Sequence, residues 1–250
     1  MKSRLVGKHS VEENMTQVSE LQAELQNSIE QHAMLKHPFY QLWSAGQLDL
    51  EVLREYAKQY YAHVKAFPTY VSATHSHCDD VAVRQMLLEN LIEEERGENN
   101  HPELWLRFAE GLGLTRDEVK NAELLPSTID SVDRLKALTQ SEDYRCGVAA
   151  LYAYESQIPE VARTKRSGLA EFYGIEDSRA VSFFTVHEAA DEWHRETELK
   201  VLSEACESDA DREAVVSAAG EASKALWDFL TGVQKAFIEP ASCDSTAAVA

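Results

Sequence analysis

Along most of the chain, apolar residues return every three or four positions, the period of an amphipathic helix. In VSELQAELQNSIEQHAML, Val18, Leu21, Leu25 and Ile29 form one stripe, and in LDLEVLREYAKQYYAHVKAF, Leu50, Leu53, Tyr56, Tyr60 and His63 do the same. DDVAVRQMLLENLIEEERGENN opens with acids, which a helix N-terminus favours. Shorter helices are predicted over 102–123 and 126–139. Longer ones cover SEDYRCGVAALYAYESQIPEVA, DSRAVSFFTVHEAADEWHRETELKVLSEAC and DADREAVVSAAGEASKALWDFLTGVQKAF, with Ser141 and Asp177 as N-caps. No segment sustains the two-residue alternation of a half-buried strand. The pattern predicts an all-α protein, one helical bundle over residues 15–238. It is flanked by a flexible N-terminal extension (1–14) and a flexible C-terminal tail (239–250).

Composition agrees: 250 residues suffice for a sizeable core, and only 10 Gly and 6 Pro interrupt the helix formers. Charge narrows the function. With 43 Asp+Glu against 24 Lys+Arg, the net charge of −19 repels phosphate backbones and anionic membranes, which argues against nucleic-acid binding. Part of the acid surplus is solubility, and part is open to use as metal ligands. Cys78, Cys146, Cys206 and Cys243 stand far apart with no CxxC spacing, as suits a reducing compartment. The first residues lack the apolar stretch of a signal peptide, and no run approaches the roughly 18 apolar residues of a membrane span. A cytoplasmic protein is expected.

Three clusters carry candidate chemistry. His187, Asp191 and His194 are spaced by four and three, which leaves them within about 60° of one another on a helix. Two imidazoles and a carboxylate on one face suit iron, manganese or zinc, although the neighbouring charges also fit a solvated polar face. Glu94 and His101, seven apart, share a face if their helix continues through Gly97 and up to Pro102; otherwise they mark an acidic helix end running into a turn. Glu155 stands amid Ala149, Ala150, Leu151, Tyr152 and Tyr154, where a buried carboxylate wants a cation or a dense set of donors. An exposed position on an amphipathic helix is the alternative. Together the six residues offer −3 against the +4 of two divalent metals.

At these residues the sequence resembles the heme-oxygenase-like di-iron proteins, in particular the chlamydial protein associating with death domains (CADD) and its bacterial relatives. The resemblance rests on HPFYQLWSAGQL, EEERGENNHPELW, LYAYESQIPEVARTK and HEAADEWH, and spans roughly residues 20 to 238. It implies a heme-oxygenase-like (TenA/PqqC-like) bundle of about seven helices. It also implies two divalent metals, Fe/Fe or Fe/Mn, held by Glu94, His101, Glu155, His187, Asp191 and His194, with dioxygen and an external reductant as co-substrates.

The activity it implies is synthesis of para-aminobenzoate, the folate precursor, from one of the protein's own tyrosines. Tyr40 matches the consumed tyrosine and Lys165 the amino donor, while Tyr56 and Tyr154 match further pocket tyrosines able to relay electrons. Phe183 stands where an aromatic with a hydroxyl is expected. A homodimer is expected, and the relative's name brings in a protein partner. Other readings are a dimetal oxidase acting on a separate small molecule, a cofactor-free oxidase or thiaminase type, and a death-domain-type interaction module.

Overall fold

The structure, a computed structural model, describes residues 18–239. The expected extension 1–14 and all but Glu239 of the expected tail 239–250 lie outside the described residues, as do the side chains of 189–194. Every regular element among the described residues is helical, as the apolar period predicts. In chain order they are α1 (18–30), a short 3-10 turn (Met34–Lys36), α2 (Pro38–Ser44), α3 (Leu50–His77), α4 (Val81–Glu95) and α5 (His101–Gly111). There follow α6 (Arg116–Lys120), α7 (Pro126–Thr139), α8 (Tyr144–Glu155), α9 (Ile158–Tyr173), α10 (Ser182–Ala205) and α11 (Asp209–Phe237).

These eleven helices exceed the seven or so expected, for local reasons. One predicted run is split into α8 and α9. Pro159 has no N–H for the carbonyl of Glu155 and its ring crowds that carbonyl, so α8 stops at Glu155. Asp143, not Ser141, caps α8 by accepting the Arg145 N–H at 3.0 Å. Asp177 accepts from the N–H groups of Arg179 and Ala180, both at 3.1 Å, but closes only a turn; α10 starts later, at Ser182. α6 is a single short stretch held by a Thr115–Glu118 capping box.

α3 packs against α4, α5, α7 and α8, while α8 also contacts α11 and α10, and α9 rests on α10. The predicted stripe of α3 faces this centre: Leu53, Tyr56, Tyr60 and His63 are buried, and only Leu50 of the set stays exposed. On α9, a Cβ at Gly168 would lie 2.7 Å from Cδ1 of Trp43, so α2 reaches α9 only because that position is glycine. Trp43 then donates its indole N–H to the Lys165 carbonyl at 3.3 Å, which fixes α2, and with it Tyr40, beside Lys165. Among the described residues no helix is long and apolar enough to cross a membrane.

Candidate metal centre and the tyrosine cluster beside it

Glu94 lies at the end of α4 and His101 opens α5, so of the two arrangements left open by the sequence the turn forms and not the continuous helix. Gly97, at φ +80°, turns the chain in the left-handed region, and Asn100 caps α5 by accepting the Glu103 N–H at 2.9 Å. The turn still brings the pair together, with His101 Nδ1 2.7 Å from Glu94 Oε1. His187 approaches from α10, its ring centre 4.4 Å from that of His101. One donor atom each from Glu94, His101 and His187 lie within 4.8 Å of one another. Glu155, the last residue of α8, lines the same cavity, and Asn90 donates to its Oε1 at 3.0 Å. Glu94 and Glu155 are only 6% and 5% exposed, so the exposed position that was the alternative for Glu155 does not hold, while Glu94 is buried although it does stand at an acidic helix end that runs into a turn. The expectation for Asp191 and His194 falls on α10, but their side chains lie outside the described residues.

This donor set fits a divalent transition metal: carboxylate oxygens and imidazole nitrogens converge in a largely buried space. His187 Nδ1 sits 2.6 Å from the Phe183 carbonyl, so Nδ1 carries the proton and the ring lone pair is on Nε2, the arrangement that orients a ligating histidine. Burial pulls the His101 pKa down, yet the charge and contact of Glu94, aided by Glu155 and Glu93, outweigh it and raise it overall. A pocket that draws a proton onto a buried imidazole in this way also draws a cation.

Of the other four expected site residues, Tyr40, Tyr56 and Tyr154 fall into two hydrogen-bonded phenol pairs, the second completed by Tyr60, and Lys165 lies among them. Tyr40 and Tyr56 share a hydroxyl–hydroxyl bond of 2.9 Å, and Tyr154 shares one of 2.7 Å with Tyr60. Lys165 projects from α9 into the rings, its Nζ 4.5 Å from the centre of Tyr60, 5.2 Å from Tyr56 and 5.3 Å from Tyr40. Burial holds the Lys165 pKa well below the usual lysine range, and no carboxylate among the described residues lies within ion-pair distance. Burial likewise raises the phenols of Tyr40, Tyr56 and Tyr154 well above the usual tyrosine range. Between the phenols and the metal ligands lies a cavity of about 30 Å³, lined by Tyr60, Tyr154, Glu94, Glu155, His101 and His187 with several apolar side chains.

Over residues 54–227 the chain matches the family model described as iron-containing redox enzyme. The chain belongs to that family. It is 41% identical to a 4-aminobenzoate synthase of Chlamydia pneumoniae, over 88% of this chain and 96% of that one. A 4-aminobenzoate synthase of Nitrosomonas europaea is 38% identical, over 88% and 93% of the two chains. The fold matches a solved TenA homologue from Pseudomonas syringae with a TM-score of 0.75 at 16% identity, covering 86% of this chain and 93% of that one. These matches bear out the heme-oxygenase-like bundle expected from the sequence.

Sequence reasoning placed Tyr60 and His63 of this iron-containing redox enzyme on a core stripe and no further. Tyr60 proves to touch Tyr154, Tyr56 and Lys165 together, and its signal was available: it stands one turn after Tyr56, on the same face. His63 is fully buried against Phe229, with ring centres 4.9 Å apart and neither ring nitrogen hydrogen-bonded, and burial lowers its pKa to about 3. Asn90 carried no signal, because its partner Glu155 lies 65 positions away. Phe183 packs on His187 at 4.1 Å and on Trp105 at 4.8 Å.

Proposed function

We propose that this enzyme makes para-aminobenzoate in an oxygen-dependent reaction at two divalent metals, consuming its own Tyr40 as the carbon source and the Lys165 amine as the nitrogen source. The activity is supported by two 4-aminobenzoate synthases near 40% identity that this chain matches nearly end to end. The self-consuming part is supported by one observation above all. Tyr40 and Lys165 are both enclosed by the protein, 0% and 2% exposed. The ring and the amine are meanwhile already in place, 5.3 Å apart.

In this reading Glu94, His101, Glu155 and His187, with Asp191 and His194, hold two irons or an iron–manganese pair. Bound there, such metals supply one-electron chemistry with dioxygen, completed by an external reductant. The protein's residues do the rest. Burial keeps Lys165 neutral, so its nitrogen has the lone pair that an ammonium lacks. Tyr40 brings a ring already substituted para to its hydroxyl, held by Tyr56 and walled from water by Phe39 and Trp43. The working form is a cytoplasmic homodimer.

The test is to label the protein with ring-13C tyrosine, load it with iron and manganese, and add dioxygen and reductant but no substrate. Labelled para-aminobenzoate should appear, limited to about one per chain, as a consumed residue requires. Tyr40→Phe should make none while retaining its metal. Many turnovers of unlabelled product from an added compound would establish the separate-substrate oxidase instead, and full activity after metal stripping would end both readings.

A further inference from the structure

The two phenol pairs stand apart unless something joins them, and one residue does. Tyr154 belongs to the metal side: it precedes Glu155 on α8 and lines the cavity with the candidate ligands. Tyr40 and Tyr56 belong to the lysine side. Tyr60 is bonded to the Tyr154 hydroxyl at 2.7 Å, and its ring stacks on Tyr56 with centres 5.4 Å apart and planes 26° from parallel. It is also the ring nearest the Lys165 amine. Among the described ring contacts Tyr154 meets neither Tyr40 nor Tyr56.

Two other aromatics span the same gap. Phe183 touches His101, His187 and Trp105, but a benzene ring has no hydroxyl proton to release and is far harder to oxidise than a phenol. Trp105 touches Phe183, Tyr60 and Tyr56, yet its N–H is committed to the Ala57 carbonyl at 2.8 Å, so it has no phenol with which to exchange a proton.

We propose that Tyr60 is the catalytic link between the metal centre and the Tyr40–Lys165 pair, passing oxidising equivalents by hydrogen-atom exchange with Tyr154. This rests on the oxygen-dependent reading above. Dioxygen is the oxidant that first takes one electron and one proton from the Tyr154 hydroxyl. In the exchange itself the O–H bond of Tyr60 breaks and that of Tyr154 re-forms; electron and proton travel together along the 2.7 Å bond, and no charge is created. That neutrality suits an interior which penalises phenolate. In a second step of the same balance the electron crosses the stack from Tyr56 to Tyr60, and the proton of the Tyr56 hydroxyl passes to the Tyr60 oxygen by way of the Lys165 amine, which lies 5.2 Å from the centre of one ring and 4.5 Å from that of the other; Tyr56 then shares the equivalent with its partner Tyr40.

The experiment replaces Tyr60 by 3-aminotyrosine, whose ring is more easily oxidised and traps the equivalent. The iron-loaded full chain is mixed with dioxygen and frozen for electron paramagnetic resonance. The expected result is an aminotyrosyl radical at position 60. Alongside it, Tyr60→Phe should lose about tenfold or more of the para-aminobenzoate yield with metal content unchanged. A radical at position 60 in protein whose parent makes no para-aminobenzoate would leave the link standing and remove the functional reading. Parent-level product from Tyr60→Phe, with no radical on the aminotyrosine, would overturn the link, leave the functional reading standing and pass the role to Trp105.

Discussion

The metal side and the lysine side of this interior are neighbours, joined by Tyr60, yet burial has opposite consequences in them. On the metal side two carboxylates and two imidazoles are taken out of water together, and the pocket gathers positive charge, first visible as a raised His101. On the lysine side, stacked rings enclose a lone amine with no carboxylate in reach, and the same loss of solvent keeps the amine neutral and the phenols protonated. Low polarity therefore does not by itself make a charged or a neutral site. What decides is whether an opposite charge stands within a few ångströms. A pocket that favours a cation and a neutral cluster of phenols and amine can share one core for that reason.

The sharpest way to break the contrast is to remove a ligand from the charged side. His187→Ala should lower metal affinity by about a hundredfold or more, since this imidazole is one of few donors and its proton is fixed by Phe183. Elemental analysis of metal per chain reads the result; parent-level metal would demote the cluster to a buried acid–histidine contact.

Next in size is Lys165→Met on the neutral side. Product should vanish while metal stays bound, and the fold should gain about 1 kcal/mol or more, because a buried amine is replaced by an apolar chain of similar length. The pH dependence has a definite sign. Below the ordinary lysine pKa the unfolded amine is protonated and the folded one, with its lowered pKa, is not, so parent stability rises with pH towards that value. The variant should lose this slope in urea unfolding measured across the alkaline range; an unchanged slope would mean that the amine is charged in the fold.

The smallest effect belongs to His63, an imidazole that neither region uses. Unfolded histidine titrates at 6.5, whereas burial lowers His63 to about 3, so the unfolded state binds the extra proton between those values. His63 should therefore remove stability as pH falls from 6.5 towards 3, at up to about 1.4 kcal/mol per pH unit. His37, lowered to about 4 by burial, adds a similar loss over a narrower window. His63→Leu should halve the slope between 6.5 and 4, where both imidazoles act, remove the histidine contribution between 4 and 3, and raise stability at pH 5 relative to the parent. A curve identical to the parent's would mean that His63 has a hydrogen-bond partner in solution.

Much of this could be read from residue order because helices and their ends are local. The three-and-four period of α3 placed Tyr56, Tyr60 and His63 on one buried face. The apolar setting of Glu155 marked it as a costly carboxylate. The blocks around Glu94, Glu155 and His187 identified the family that the comparisons then matched. Where the reading failed, the cause was usually a competing local rule: Pro159 ended α8, and Asp143 outcompeted Ser141 as a cap.

The sequence by itself thus determined an all-α chain, its family, and which acids, imidazoles and aromatics had chemistry to offer, since these follow from period, spacing and residue type. Only the tertiary structure decided their company. Glu94 meets His101 across a turn rather than along a helix, Asn90 steadies a carboxylate 65 positions away, and Gly168 lets α2 deliver Tyr40 to Lys165. Tyr60 became the bridge for the same reason: a helical period sets which face a side chain occupies, but only the packing of the other helices sets what stands opposite.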